Sequence, residues 1–328
     1  MKPVTMRTRG PRLLRLAALA AAFVCAALGA RAETVRVGNS SAPAFNFLPL
    51  TVGIGQKYFE GQGLQVEVVD LAGSAKLHQA MTAGAIDFGL GAGTDIAFLV
   101  KGAPEIAVGA IALTPALFGI VVPYDSPAHD LSALKGKRIG ISTVGSLTQW
   151  LAFQLEKKEG WKREDLTMIE DGSSYPPQVA ALETGQIDAQ VSGAALGWNL
   201  EEQKKGRLLA PASDFVGAFL MNVIFASNDI VAHNPDAVRR FLRGWYQAAD
   251  FMAHNRAQAI AIARSVDHFS QEVEEKQYDD VMPSLSLDGS FPPAAVAPVR
   301  ESFVELGILP TEPDMTKYLT TRFLPPKG

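Results

Sequence analysis

Five short stretches of this chain combine small residues with hydroxyls: Ser40-Ser41-Ala42, Gly73-Ser74, Gly93-Thr94, Gly145-Ser146 and Gly172-Ser173-Ser174. Small residues let backbone N–H groups approach a bound molecule, and hydroxyls add adjustable donors or acceptors. The chemistry such loops can do is binding. Gly145-Ser146, just ahead of a helical pattern, would set free amides and a helix dipole against an anion. Ser146 with Gln149 equally makes an ordinary capping box. Phe45 and Asn46 follow Pro43 in the first loop and are candidates for cleft walls, and Gly193 lies in a further loop, Ser192-Gly193-Ala194.

Signatures of catalysis are mostly missing. Gly89-Leu90-Gly91-Ala92-Gly93 has Thr94 where a dinucleotide fingerprint needs its last glycine. There is no phosphate loop and no G-x-S-x-G elbow. The histidines His78, His129, His233, His254 and His268 are dispersed, with no pair at metal-ligand spacing, and read as surface or capping residues. Asp87 and Asp188 resemble a catalytic carboxylate pair. Each follows a helix-ending glycine, however, which points to a shared turn whose side chain bonds nearby backbone. Trp150 and Trp198 suit a ligand stack or core packing.

The loops sit in a module that the chain states twice. Arg36-Val37-Gly38-Asn39-Ser40 recurs as Arg138-Ile139-Gly140-Ile141-Ser142, and Gly84-Ala85-Ile86-Asp87 as Gly185-Gln186-Ile187-Asp188. In the first copy, strands are expected over Thr34–Gly38, Leu64–Leu71 and Ile86–Leu90, with helices over Leu48–Glu60, Ala75–Ala83 and Asp95–Lys101. In the second copy, strands are expected over Lys137–Ser142, Leu166–Glu170 and Ile187–Val191, with helices over Leu147–Glu159 and Pro177–Thr184. Uncharged Ile106–Pro123 imitates a membrane span, but Gly109, Pro115 and Gly119 interrupt it, so two buried strands with a turn near Thr114-Pro115 fit better. Beyond the copies come a strand at Val223–Ala226 and helices within Pro235–Asn255, Gln258–Val266 and Val296–Leu306. The tail from Pro310 should wrap the surface. Alternating strands and helices predict an α/β fold of two similar lobes with mainly parallel sheets, and a ligand cleft outside the strand ends.

Residues 1–32 read as a secretory signal, with basic residues from Lys2 to Arg15, an apolar Leu16–Leu28 and the cleavage pattern Ala30-Arg31-Ala32. Cleavage after Ala32 would remove six basic residues and no acid, moving the formal charge from -4 to -10. An acidic chain argues against nucleic-acid binding and against anionic membranes. The single cysteine, Cys25, lies inside the signal, so the mature chain has no disulfide, thiolate nucleophile or cysteine metal site.

Several segments together resemble the periplasmic solute-binding proteins of ABC importers, in the nitrate/sulfonate/taurine (NMT1-like) group. They are Val35–Gly38, Tyr58–Val66, Ala83–Gly89, Leu134–Gly140, Gly145-Ser146 and Gly185–Ala189, in that order behind the signal. The resemblance implies a type II binding-protein fold whose two lobes, joined by two hinge strands, close on a small, usually anionic solute and then dock on a membrane permease with its ATPase. It implies a periplasmic monomer, no enzyme, and no cofactor or metal. Lobe one would be 33–122 plus 220–328 and lobe two 123–219, crossing near Val121–Asp125 and returning near Phe215–Asn222. Carried over onto matching loops, it points to Ser40, Ser41, Ser74, Gly93, Thr94, Ser146, Leu147 and Ser173, with Thr114 near the hinge. Many sulfonate-type relatives carry Trp-Asp-Pro after the second Gly-x-Ile-Asp strand, whereas this chain reads Ser192–Asn199 without it, which leaves the solute open. The alternative is an enzyme on the same fold. Pyrimidine-precursor synthases of this kind use a cysteine-rich iron motif that the mature chain lacks, while a cysteine-independent lyase of menaquinone biosynthesis stays open.

Overall fold

The computed structural model describes residues 32–40, 44–71, 73–172 and 174–326. Residues 1–31 of the secretory segment and the candidates Ser41 and Ser173 lie outside them. Ten strands form in chain order: β1 Glu33–Asn39, β2 Leu64–Asp70, β3 Phe88–Ala92, β4 Glu105–Ala112, β5 Phe118–Pro123, β6 Arg138–Ile141, β7 Thr167–Glu170, β8 Ala189–Gly193, β9 Gly206–Pro211 and β10 Asn222–Ser227. They make two five-stranded sheets, ordered β2-β1-β3-β10-β4 and β7-β6-β8-β5-β9.

The two orders are the same pattern. In each sheet three parallel strands are followed by one antiparallel strand and an edge strand. The antiparallel strand is always the first one after the chain has crossed over. β5 enters the second sheet directly from the first, and β10 returns to the first from the second. Helices cover the sheets, as the alternating pattern requires.

The expected crossing near Val121–Asp125 is corrected to residues 113–117. Phe118 already pairs with Gly193, and Val121 with Gln190, so the strand expected in lobe one belongs to the second sheet. The uncharged 106–123 stretch is therefore two buried strands that do not pair with each other, because each is captured by a different sheet. The return lies at 212–221. The Phe219 N–H donates to the Leu113 carbonyl at 2.9 Å, tying the two crossings together. Among the described residues, no helix is long and apolar enough to cross a membrane.

The helix expected over Leu48–Glu60 is two helices, Leu48–Gly55 and Tyr58–Gly61, broken where Lys57 turns left-handed at φ 60°. The break folds Phe59 back between Gly53 and Gly244, where added Cβ atoms would stand 2.5 and 2.7 Å from its ring. Phe59 then stacks on Phe241 at 5.1 Å, and Phe241 on Phe88 at 4.1 Å. Phe241 lies on the helix Pro235–His254, whose Val238, Leu242 and Trp245 are also buried.

Three helices were not foreseen, Ala194–Glu202, Gln271–Val281 and Asn228–His233. The second packs Val273 against Ala194, Ala195 and Trp198, so the C-terminal region touches both sheets' helices rather than completing the first alone. The tail covers the outer edge of β4: Ala107 N–H donates to Tyr318 O at 3.0 Å, and Thr320 N–H to Ala107 O at 2.9 Å. That pairing occupies an edge strand otherwise open to association.

Candidate ligand cleft

Ser40 and Ser142 occupy equivalent places at the ends of β1 and β6. Gly73 N–H donates to Ser40 O at 2.9 Å, and Gly172 N–H to Ser142 O at 3.2 Å. Gly73 and Gly172 have φ of 98° and 86°, a region that only glycine enters without strain, so the sequence needs glycine at both turns. Ser74 then opens the helix Ser74–Thr82 and is half-buried.

Gly93 serves the crossing. Its N–H donates to Met221 O at 3.0 Å, and a Cβ there would stand 1.8 Å from the Leu220 carbonyl oxygen. In the second sheet Ala194 N–H, beside Gly193, donates to Leu117 O at 2.9 Å. Both glycines thus lie under a crossing segment. Thr94 is buried, and Thr114 is half-buried on the first crossing.

The free amides expected at Gly145-Ser146 are taken. Gly145 N–H donates to Gln149 Oε1 at 2.7 Å, and Ser146 Oγ accepts from Gln149 N–H at 3.4 Å. Ser142, Ser146 and Thr148 close a triangle of hydroxyls within 2.8 to 3.0 Å of one another. The helix cap wins here because Gln149 lies one turn into the helix Leu147–Lys158 and reaches back. Leu147 opens that helix half-buried.

Phe45 is a core residue, 1% exposed and edge-on to Tyr278 at 6.1 Å, rather than an open cleft wall. Asn46 is fully buried, and its Nδ2 donates to Asn222 Oδ1 at 2.7 Å. Trp150 is core as well, stacked on Phe219 at 4.3 Å. Cavities of about 340 Å³ beside His78 and Phe98, and about 430 Å³ beside Tyr278 and Met282, include none of the expected residues.

Several polar groups escaped the reading by composition. In the second sheet Asp171, Gln178, Gln190 and Ser192 stand where the first has Leu71, Leu77, Gly89 and Gly91. Ser192 Oγ donates to Gln178 Oε1 at 2.7 Å, and Gln190 Nε2 to Asp171 Oδ1 at 3.3 Å. Burial pushes the Asp171 carboxyl up to about 6, against the bond from Gln190. Aligning the two copies position by position would have exposed this exchange.

His78 is neither a surface nor a capping residue. It is buried between two carboxylates, with Nδ1 2.8 Å from Glu105 Oε1 and Nε2 3.5 Å from Asp95 Oδ2. Burial alone would lower its pKa, but Asp95 and Glu105 raise it to about 9. Its helical neighbours in sequence gave no sign of these partners, which come from β4 and the turn after β3. His233 and His254 do behave as expected, each bonding the carbonyl four residues back.

The comparisons with known proteins agree with this architecture. The NMT1/THI5-like family model matches residues 44–259. A candidate binding protein of Brucella abortus is 30% identical over 252 residues, which cover 73% of this chain and 76% of that one. The 4-amino-5-hydroxymethyl-2-methylpyrimidine phosphate synthase THI13 of Saccharomyces cerevisiae is 26% identical over 260 residues, covering 74% and 70%. Among solved structures, the alkanesulfonate-binding protein SsuA of Xanthomonas axonopodis pv. citri bound to MOPS matches with a TM-score of 0.72 at 21% identity, over 88% of this chain and 98% of that one. The fold is the two-lobe α/β fold of periplasmic binding proteins. By sequence and by fold, the chain belongs to the NMT1/THI5-like family.

Proposed function

We propose that this chain is the extracytoplasmic solute-binding component of an ABC importer. It captures a small solute by closing two lobes and delivers it to a membrane permease driven by its ATPase. The observation that carries the reading is the sheet topology. Each sheet takes its antiparallel strand directly after a crossing, β5 after 113–117 and β10 after 212–221, so motion at those segments would move whole sheets as bodies. Hinge closure of this kind lets binding energy shift an open–closed population. The lobes follow the sheets: 33–112 with 222–326, and 118–211. Similarity to binding proteins supports the assignment. We place the protein in the periplasm as a monomer, with cleavage after Ala32. In keeping with that, β1 begins at Glu33, whose N–H already donates to Gly63 O at 3.0 Å.

A fluorimetry screen of sulfonates, nitrate, carboxylates, pyrimidines, aromatic acids and amines tests the reading, since a ligand that binds the folded state raises its melting temperature. Saturating binding with compaction in X-ray scattering, and no turnover, is the expected result. Formation of a product from the bound molecule would overturn it. The second reading, an enzyme on this fold, is favoured by the 26% identity to the yeast synthase. Against the iron-dependent version stands the cysteine count, since Cys25 is the one cysteine in the sequence.

A further inference from the structure

Three fully buried side chains carry an acceptor oxygen without a partner: Asn46 Oδ1, Gln190 Oε1 and Glu274 Oε1. Their orientations are fixed by what the other atom does. Asn222 Nδ2 donates to Gly91 O, so Asn222 Oδ1 must receive Asn46 Nδ2, and the Asn46 oxygen is left over. Gln190 Nε2 is committed to Val191 O and Asp171 Oδ1. Gln277 Nε2 bridges Asp267 Oδ2 at 3.3 Å and Glu274 Oε2 at 3.1 Å, which leaves Glu274 Oε1 bare. A buried acceptor without a donor is destabilising, so such atoms persist where something else supplies the donor.

The helix that carries Glu274 packs on the turn that carries Asn46. The helix Gln271–Val281 sets Tyr278 against Phe45, the neighbour of Asn46, and Val273 against the helix that Gly193 caps. From the second sheet Tyr175 opens its helix with the ring toward Phe269 at 6.5 Å, and a Cβ on Gly193 would stand 2.7 Å from its hydroxyl. Burial, then Asp267 and Glu274, push that hydroxyl up to about 12, so it stays a neutral donor and acceptor within the field of both acids. Arg264, the cation that acts on Glu274, donates its Nη1 to Gln271 instead. Asp267 and Glu274 are thus joined through Gln277 beside the turn that carries the Asn46 amide oxygen, and among the described residues no basic side chain bonds any of the three.

We propose that Glu274, Asp267, Asn46 and Tyr175 form the recognition end of the cleft and that its solute is a small organic cation bearing N–H donors, an ammonium or amidinium. This rests on the solute-binding reading above. A sulfonate or nitrate offers acceptors alone and would have to hold protons on Glu274 and Asp267, which burial pushes up to about 7 and about 6. An ammonium offers three donors and a charge that offsets the two acids.

Calorimetry of the mature chain with two panels tests it: agmatine, putrescine and benzamidine against ethanesulfonate and nitrate. A cation should bind saturably, and Glu274→Gln should weaken it at least ten-fold while Glu301→Gln, an exposed acid of a different helix, leaves it unchanged. Unaltered melting and circular dichroism of Glu274→Gln separate lost recognition from lost folding, and Asn46→Asp is expected to tighten the same cation. If an anion binds and compacts the protein while no cation does, the cation assignment fails and the solute-binding reading stands. If neither panel nor the broad screen binds, both fail together.

Discussion

The Trp150 indole N–H donates to Glu305 Oε2 at 2.7 Å, and Gln154 Nε2 donates to the same oxygen at 2.8 Å. Trp150 comes from a helix of the second sheet, Glu305 from the C-terminal helix Pro293–Glu305 that packs on Gly93, and Phe219 on the return crossing stacks beneath the indole. The carboxylate thus ties the C-terminal helix to a helix of the second sheet beside the return crossing, parts that the proposed closure has to keep in step. Glu305→Ala leaves a buried indole N–H unpaired, which costs about 1–3 kcal/mol. We expect a lower urea midpoint and a larger radius of gyration in the ligand-free protein. An unchanged scattering curve would remove Glu305 from the hinge.

His78 links the helix Ser74–Thr82 to β4 through Glu105 and to the turn after β3 through Asp95. Its folded pKa of about 9 lies above the ordinary histidine value, so its stabilisation is complete below about pH 6.5 and is lost as pH rises through about 9. Urea unfolding at a series of pH values should show stability falling between pH 7 and 9.5. His78→Gln should flatten that slope and lower stability most at pH 6, where the charged form contributes fully.

The repeated Gly-x-Ile-Asp motif shows how far the sequence could be read. Asp87 does play a structural part, as its place after a helix-ending glycine implied, but its partner is not local. Its carboxylate accepts from Arg36 N–H at 2.7 Å and from the guanidinium at 2.8 and 3.2 Å, fifty-one residues back. Asp188 repeats the clamp on Arg138 at 2.9, 2.9 and 3.1 Å. Periodicity and helix stops are local and could be read. Which strands become neighbours is not, so the clamp, the His78 acids and the place of β5 in the second sheet stayed hidden. The candidate loops were legible as small and polar, yet Gly145 N–H and Gly93 N–H turned out to be committed, because local caps and crossings compete for the same amides. Asp87→Ala should cost about 1 kcal/mol, the lower end for an unpaired N–H because the pair is part-exposed. Asp188→Ala, more exposed, should cost less, as chemical denaturation would show.

Phe59 makes glycine a packing requirement at two helical positions. Elsewhere Gly→Ala in a helix gains up to about 1 kcal/mol. At Gly244 the new methyl would press on a fully buried ring from 2.7 Å, and overpacking of that kind costs about 1–3 kcal/mol. We expect Gly244→Ala to destabilise despite its propensity gain, and Gly55→Ala, with nothing within 4 Å, to stabilise. Melting temperatures that rise for both would show that Phe59 can move aside.

Asp171 and Gln190 turn two unpaired oxygens toward the same place: a Cβ on Gly140 would stand 1.9 Å from Gln190 Oε1 and 2.6 Å from Asp171 Oδ2. The facing pair is unfavourable once Asp171 ionises, and its pKa is pushed up to about 6 by burial. For a carboxyl raised on folding, the folded state holds the proton more tightly, so stability should fall as pH rises from about 4 to 6 and then level off. Asp171→Asn supplies an amide that can donate to Gln190 Oε1 at every pH. It should therefore stabilise the protein at pH 7 and bring little change at pH 4.5, where wild-type Asp171 already carries a proton. Because Asp171 leads into the Gly172-Ser173-Ser174 loop, the same variant should alter solute affinity if that loop touches the solute. A gain in melting temperature at pH 7 with a loss of affinity would mark the pair as strain kept for binding, and a gain in both would mark it as an ordinary defect of packing.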